Sequence, residues 1–427
     1  MRVDIFCEYG EKYGLGHLRR CENLLLHLQN IFPTLSFTPT FHSSFALPNY
    51  PLEIVIIDSY IAPQSFYERI ECKILICLDD FFRLTYPKNA IILSPTLGSK
   101  SSKNRYGGEG YVILHPSFLT PSSTQERKGR ILINLGGSRQ DRLLDFLISH
   151  LNGEIHIINP YYKSSKAHIH SSLSPQEICA LIDSSELIIT AGGGGLNEAL
   201  SRGKKIIALL LAENQRSQLK NAHFLPSLFT IFSFKSLSSK FHTSIQALNS
   251  LPSPSPKPLG YKLDRLLFSL LLPSLSPHNA LHFSLLNHRQ KLEVLKLRNQ
   301  KEVRENSFDS KIISAKEHFA FISSLSFSQY FWAFFEKENF QGEIIAIGSL
   351  QIHSHNKATL GIYKNMRYEK IGNQILHSLL DSAKKLSLAT IKLEVLKSNT
   401  KALSFYQKHR FIIKKENETT LFMEREL

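Results

Sequence analysis

Disulfide chemistry has little material in this chain. Five cysteines are spread over 427 residues; Cys7, Cys21, Cys72, Cys77 and Cys179 all fall in the first half, and none forms a CxxC pair. That argues against a disulfide scaffold or a cysteine zinc site, and it reads as reduced thiols in a cytoplasmic protein. No HExxH or clustered histidine pattern signals a catalytic metal, so none is expected. Long hydrophobic runs are also missing. The longest, near Leu266, is cut by Pro273, and no charged-then-apolar leader opens the sequence. Membrane insertion is therefore not expected. Acidic residues are in deficit, 36 against 51 Lys and Arg, for a formal charge of +15. The basic residues are nevertheless scattered, with no concentrated run and no aromatic-basic repeat. This pattern disfavours nucleic acid and suits anions of nucleotide size.

What is present is α/β alternation. Residues 1 to about 115 carry short apolar strands at Val3–Phe6, Glu53–Ile57, Lys73–Leu78 and Ala90–Leu93, separated by helical segments. A Ser/Pro/Thr patch around Pro116–Gln125 interrupts them. A second series follows with "RILINLGG", "EIHIINP", "ELIITAGGGG" and "KKIIALLL". The stretches "LPSPSPKP" (251–258) and "PSLSPHNA" (273–280) place the main boundary, after which the pattern changes. Two facing α/β halves predict a cleft at the strand C-termini.

The segment "YGLGHLRR" (13–20) joins the first strand to the first helix. Gly14 and Gly16 permit a tight turn and close approach of a ligand to the backbone. A helix starting there aims unpaired N–H groups and partial positive charge at that ligand. His17 then stands where the dipole disfavours imidazolium, as a general base requires. A plain glycine turn capped by a histidine is the alternative. "TAGGGGLNEAL" (190–200) repeats the arrangement. Backbone N–H groups at Gly193 and Gly194 suit a diphosphate, and the Glu198 carboxylate suits the two hydroxyls of a ribose. An ordinary acidic helix start explains Glu198 equally. Further on, "AENQRSQ" offers the amides of Asn214 and Gln215.

Taken in order, "GLGHLRR", "IIDSY", "LDD", "NLGGS", "ITAGGGGLNEAL" and "ENQ" resemble the UDP-sugar hydrolases of pseudaminic acid biosynthesis, over roughly residues 1 to 265. The resemblance implies a GT-B-like pair of Rossmann-like domains, 1–120 and 121–275. It also implies that His17 activates the water that displaces UDP with inversion. Gly16, Arg20, Asp58, Tyr60, Gly193, Gly194, Glu198, Asn214 and Gln215 then fall at substrate-binding positions. The chain departs from the family at Phe6 and Glu8, where Arg and Asp are usual, and near Arg139.

From 285 onward, "EIIAIGSL", "TLGIYK", a turn into the helix of "RYEKIGNQILHSLLDSAKKL", "TIKLEVL" and "NTKALSFYQKH" resemble the GNAT N-acetyltransferases. More narrowly, "LRN", "EHFAFI", "LGIYKN" and "LEVLKSNTKALSFYQKHRF" resemble the acetyltransferase of the same pathway. This implies a GNAT α+β domain over 285–427 with acetyl-CoA as co-substrate. Gly372, Asn373, Asn399 and Lys401 would hold the coenzyme, and Tyr406 would return a proton to the thiolate. Arg298, His318 and Phe321 match nucleotide-binding positions, while Tyr363 and Glu394 match the acceptor site. On residue pattern alone, Tyr406 and His318 read equally as core residues and Arg298 as surface charge. The implied partners are UDP-linked amino sugars. Two rival readings stay open: a glycosyltransferase with an accessory acetyltransferase, and a nucleotide-sugar sensor without catalysis.

Overall fold

The computed structural model describes all residues except 11–14, 122–123, 138, 223–224, 232–233 and 355, and omits the side chains of 234–236 and 238. Gly14, expected to shape the first turn, lies outside the described residues. The chain divides into two compact units, Met1–His27 with Phe37–Asp264, and Leu28–Ser36 with Arg265–Leu427.

The first unit holds two parallel sheets. One contains β1 (Arg2–Cys7), β2 (Thr38–His42), β3 (Leu52–Asp58), β4 (Cys72–Leu78), β5 (Ala90–Ser94) and β6 (Arg105–Gly107), in the order β2-β1-β3-β4-β5-β6. The other contains β7 (Arg127–Asn134), β8 (Glu154–Ile158), β9 (His168–His170), β10 (Ser185–Ala191), β11 (Lys205–Leu209) and β12 (Leu228–Ile231), in the order β12-β11-β10-β7-β8-β9. The strand order reverses between β1 and β3 in the first sheet, and between β7 and β10 in the second. Open parallel sheets bind ligands at such points, beyond the strand carboxyl ends. Alternation along each strand builds a core on each face. Ile131 and Ile133 join one cluster with Ile155, Ile157 and Ile189, while Leu132 joins the other with Ile188, Ile206 and Ala208. The near-continuous apolar runs in the sequence reflect this two-sided burial.

The second unit is built on a mixed sheet of β13 (Ala280–His282), β14 (Gln329–Lys337), β15 (Gln341–Ser354), β16 (Lys357–Lys364), β17 (Thr390–Leu396), β18 (Ile412–Glu416) and β19 (Thr420–Glu426). Its order is β13-β14-β15-β16-β17-β19-β18. Every pairing is antiparallel except β16 with β17. Those two strands pair only over Lys357↔Thr390, Ala358↔Ile391 and Thr359↔Lys392, although both run on for several residues. The sheet is therefore split from Leu360 and Leu393 onward, leaving backbone groups on both strands without a ladder partner.

The two units part at Asp264 and Arg265, between the Pro/Ser stretches 251–258 and 273–280, so the Arg265–Leu275 segment groups with the second unit. Pro273 does not end the helix, which spans Leu263–Leu275. Phe268 from this helix packs on Phe327 and Tyr330 of the second unit, at ring-centroid distances of 5.2 and 5.8 Å. Among the described residues no helix is long and apolar enough to cross a membrane.

Candidate active site

β1 delivers the chain to the Gly16–Ile31 helix, and His17 is its second residue. The imidazole is mostly covered, with 11% of the side chain exposed, and its Nδ1 lies 2.7 Å from Oδ1 of fully buried Asp58 at the end of β3. An ionised carboxylate only accepts hydrogen bonds, so Nδ1 carries the proton and Nε2 holds the lone pair in the neutral ring. The helix start and the β3 terminus flank the β1/β3 reversal, and this places the pair at the strand carboxyl ends.

Arg20, one helical turn on from His17, donates to Asp58 twice, from Nε to Oδ2 at 2.8 Å and from Nη2 to Oδ1 at 2.6 Å. Its Nη1 donates to Asp80 Oδ2 at 2.7 Å, just past β4. Asp80 also accepts from the Tyr60 hydroxyl at 2.9 Å and from Thr96 Oγ1 at 2.9 Å. The Tyr60 ring stands edge-on to His17, with centroids 4.5 Å apart. Burial alone would lower the Arg20 pKa, but Asp58 and Asp80 more than offset it and hold the guanidinium well above its ordinary value. Burial likewise works against the Asp80 carboxylate, yet Arg20 and the hydroxyl donors keep its pKa below normal. Arg20 and Asp58, expected as substrate contacts, thus bond each other beside His17, while Tyr60, expected likewise, donates its hydroxyl to Asp80. Glu8, where the resembled family has Asp, accepts from the Tyr60 and Ile61 backbone N–H groups at 2.8 and 3.1 Å, fixing the turn that presents Tyr60.

In the second sheet, β10 ends in the glycine run and the Gly194–Ser201 helix begins there. The four glycines are not equivalent. A Cβ at Gly195 would lie 2.7 Å from Thr190 Oγ1, and one at Gly192 would lie 2.6 Å from the Leu219 side chain. These two serve close packing. Gly194, by contrast, faces open space, and Gly193 has only the Gln215 amide at 4.0 Å. Gly16 at the first helix start is open in the same way. Glu198 is half-buried in the next turn, and burial pushes its carboxyl up to about 7, opposed in part by the Arg19 charge. Arg19 comes from the first sheet's helix, so the two halves of this unit meet electrostatically here.

Asn214 is exposed, as a free contact residue would be. Gln215 instead spends Oε1 on the Leu211 N–H at 3.1 Å. Gln218, which the sequence did not single out, is buried and donates to the Gly193 carbonyl at 3.2 Å and to Asn197 Oδ1 at 3.3 Å. It braces the glycine turn from below.

In the second unit the Gly372–Lys385 helix starts with no side-chain cap and no acidic residue in its first turn. The preceding Lys370 is in the left-handed region, φ +59°. Its free N–H groups and dipole therefore favour an anion. A cavity of about 720 Å³ beside it is lined by Asn373, Thr400, Lys401, Ser404, Phe405, Lys408 and His409. Asn373 and Lys401 thus share one cavity, and Lys408 adds a second cation to it. A Cβ at Gly372 would touch the Phe405 ring at 3.4 Å. Asn399 is chiefly a helix cap, accepting from the Ala402 N–H at 3.1 Å. Tyr406 is buried between Phe405 and Phe411, and burial raises its pKa well above the ordinary tyrosine value.

Arg298 donates from Nη2 to the Asp309 carbonyl at 2.9 Å, while its buried Nη1 has no hydrogen-bond partner among the described residues. Its charge is felt at Tyr363, where it opposes the rise that burial imposes on the phenol. Phe321 is 39% exposed and stands edge-on to Phe331 at 5.1 Å. Glu394 is exposed on β17. His318 lies on the Ala315–Ser324 helix. It is buried, its Nε2 donates to the Lys291 carbonyl at 2.9 Å, and burial lowers its pKa. That geometry ties the His288–Arg298 and Ala315–Ser324 helices together.

Residues 299–411 match the acetyltransferase (GNAT) family, so the C-terminal part carries a GNAT domain. Over 261 residues the chain is 31% identical to the pseudaminic acid cytidylyltransferase and UDP-2,4-diacetamido-2,4,6-trideoxy-beta-L-altropyranose hydrolase of Helicobacter pylori. That alignment takes in 56% of this chain, which spans half the length of the relative. Among solved structures, the Campylobacter jejuni N-acetyltransferase PseH is 22% identical, with 34% of this chain and 96% of that one covered and a TM-score of 0.29. The same enzyme in complex with acetyl coenzyme A is 23% identical over the same shares, with a TM-score of 0.29. The GNAT domain of a Streptomyces lividans protein is 14% identical over 35% of this chain and 89% of its own, with a TM-score of 0.30.

Proposed function

We propose that the first unit hydrolyses a UDP-linked 2,4-diacetamido-2,4,6-trideoxy sugar and that the second acetylates the 4-amino group of its precursor. The observation that carries the hydrolase reading is the His17–Asp58 pair at the strand reversal of the first sheet. His17 Nε2 takes a proton from water as the oxygen attacks the anomeric carbon. The bond from that carbon to the UDP oxygen breaks, and UDP leaves with the bonding pair. Asp58 stabilises the imidazolium that forms and keeps the ring in one tautomer, while Arg20 and Asp80 hold Asp58. N–H groups at Gly193 and Gly194 would receive the diphosphate charge, and no carboxylic acid at glycosidase spacing is required because UDP leaves readily. The name of the Helicobacter relative supports the same substrate class.

The test is phosphorus NMR of the UDP-sugar with the intact chain. UDP appearing in buffer alone supports hydrolysis; UDP appearing only with a sugar acceptor would make the unit a glycosyltransferase.

Glu198 is proposed to accept both ribose hydroxyls. Glu198→Gln should weaken UDP by about 1–3 kcal/mol, the range for losing a charged hydrogen-bond partner. With its carboxyl at about 7, the ionised acceptor is scarce below neutrality and dominant above it. UDP affinity of the native chain should therefore rise from pH 6 to pH 8, and the variant should lose that rise. Calorimetry showing the same pH response in both proteins would remove Glu198 from the site.

For the second unit, acetyl-CoA supplies an activated acyl group when bound. The uncapped Gly372 helix start, Asn373, Lys401 and Lys408 fit its phosphates, and the gap between β16 and β17 offers unpaired backbone to an extended chain. Tyr406, kept protonated by burial, is the proton donor to the departing thiolate. Tyr406→Phe should slow transfer by up to ~10²-fold, the lower end for a positioned acid, because a thiolate leaves readily unaided. Acetyl-CoA affinity should be unchanged. A free-thiol assay giving native rates would reassign Tyr406 to the core.

A further inference from the structure

Four side chains on one face of the second parallel sheet are absorbed by neither activity. β8 and β9 pair in parallel register with His156 opposite His168 and Ile158 opposite His170. Glu154 precedes His156 by two residues, so strand alternation puts it on the same face. One donor atom each from Glu154, His156 and His168 lie within 4.8 Å of one another. His156 Nε2 is 3.0 Å from Glu154 Oε1, and His156 Nδ1 is 3.0 Å from His170 Nε2. The His156 ring stacks on His168 at 4.8 Å and on His170 at 5.3 Å.

We propose that Glu154, His156 and His168 form a binding site for a first-row divalent transition metal of the zinc class, with His170 orienting His156. The donor types are those zinc takes at distances of about 2.0–2.2 Å, and two donors about 3 Å apart can share one ion at that range. His168 is exposed and free to swing inward, closing the wider gap to the roughly 3.4 Å that tetrahedral donors need. Three protein donors leave a fourth position for water.

Arg130 is the main competitor. It holds Glu154 through Nε to Oε2 at 3.1 Å and Nη2 to Oε1 at 2.6 Å, and Nη1 donates to Ser184 Oγ at 3.0 Å. A carboxylate oxygen has two lone pairs, so Oε2 stays with Nε while Oε1 keeps its bond from Nη2 and turns the lone pair that now faces His156 to the ion. Without metal, the His156 Nε2–H donates to Glu154 and His170 donates to His156. With metal, His156 changes tautomer, Nε2 ligates, and Nδ1–H donates to His170 Nε2. His170 in turn carries its proton on Nδ1, so no net proton is taken up or lost. This outer hydrogen bond to a ligating histidine is how proteins fix the ligand ring. Two short signals, "EIH" at 154–156 and "HIH" at 168–170, carry the site in the sequence; the β8–β9 pairing is what joins them.

The test uses the intact chain, Zn²⁺ calorimetry and Co²⁺ absorption. One saturable equivalent with the intense visible bands of tetrahedral Co²⁺ is expected. His156→Ala and His168→Ala should each abolish that component, and His170→Ala should weaken it by ~10–100-fold, the usual cost of losing an outer-shell partner. His168 is exposed, so His168→Ala should leave the melting curve of the metal-free chain unchanged and keep the test valid if His156→Ala folds poorly. His150→Ala, elsewhere on the same unit, should change nothing. Binding that persists unchanged in His168→Ala, or Co²⁺ bands that stay weak and octahedral, would overturn the site.

Discussion

His17→Asn is expected to cut UDP release by ~10²–10⁴-fold, the contribution of a positioned base, while UDP affinity stays within a few-fold. Asparagine keeps a polar side chain at the helix start but offers no nitrogen able to take a proton from water. Asp58→Asn tests the pair rather than the base. Its amide can still occupy the space, but it cannot stabilise an imidazolium, and it can present an N–H where Nδ1–H now points. The rate should therefore fall with little change in KM, and the double variant should be scarcely slower than His17→Asn alone. Residues that act as one unit show such non-additivity. Arg20 still has Asp80 at 2.7 Å in the Asp58→Asn protein, so the network keeps an anchor and the fold should persist. Single-turnover UDP release, with thermal melts of each variant, reads all of this. Native turnover in His17→Asn would remove it as base. Native turnover in Asp58→Asn alone would leave the base but reduce Asp58 to a packing role.

Much of this arrangement was readable from the chain, and the readable part has a common cause. Glycine runs between an apolar strand and an amphipathic helix report a backbone need that only a few residue types satisfy, so "GLGHLRR" and "TAGGGGLNEAL" pointed to both loops. The β strands at residues 52–58, 72–78 and 90–94 were equally plain, because strands buried on both faces read as uninterrupted apolar runs. What stayed hidden was pairing across distance. Asp58 meets His17 over 41 residues and Asp80 meets Arg20 over 60, and no local pattern encodes either contact. The same holds for the parting of β16 and β17, which is a matter of register, and for His156 with His168. Gln218 escaped notice because its task is to brace a loop, a role any buried amide at the right place could fill.

Proline and serine mark both linkers and helix ends, so the stretches 251–258 and 273–280 bracket the division at Asp264 and Arg265 without saying which unit owns the Leu263–Leu275 helix between them. A fragment of residues 278–427, cut where composition changes, is expected not to hold its native fold. It loses the Leu263–Leu275 helix, whose Leu267, Phe268, Leu271, Leu272 and Leu275 are all buried. At roughly 1.5–3 kcal/mol per buried large side chain, that loss is on the order of the whole stability of a domain. Ser276 goes too, and with its Oγ the acceptor 2.9 Å from the indole N–H of fully buried Trp332. An unpaired buried donor costs a further ~1–3 kcal/mol. A fragment of 263–427 recovers the helix and Ser276 but still lacks Leu28–Ser36, which group with the second unit and include Phe32 stacked on Phe268 at 5.5 Å. It should fold and transfer acetyl groups, with a melting temperature below that of the acetyltransferase unit in the full chain. Circular dichroism melts with and without acetyl-CoA give the comparison. A cooperative, ligand-stabilised transition for 278–427 at the full-chain temperature would show that the acetyltransferase core does not need the helix.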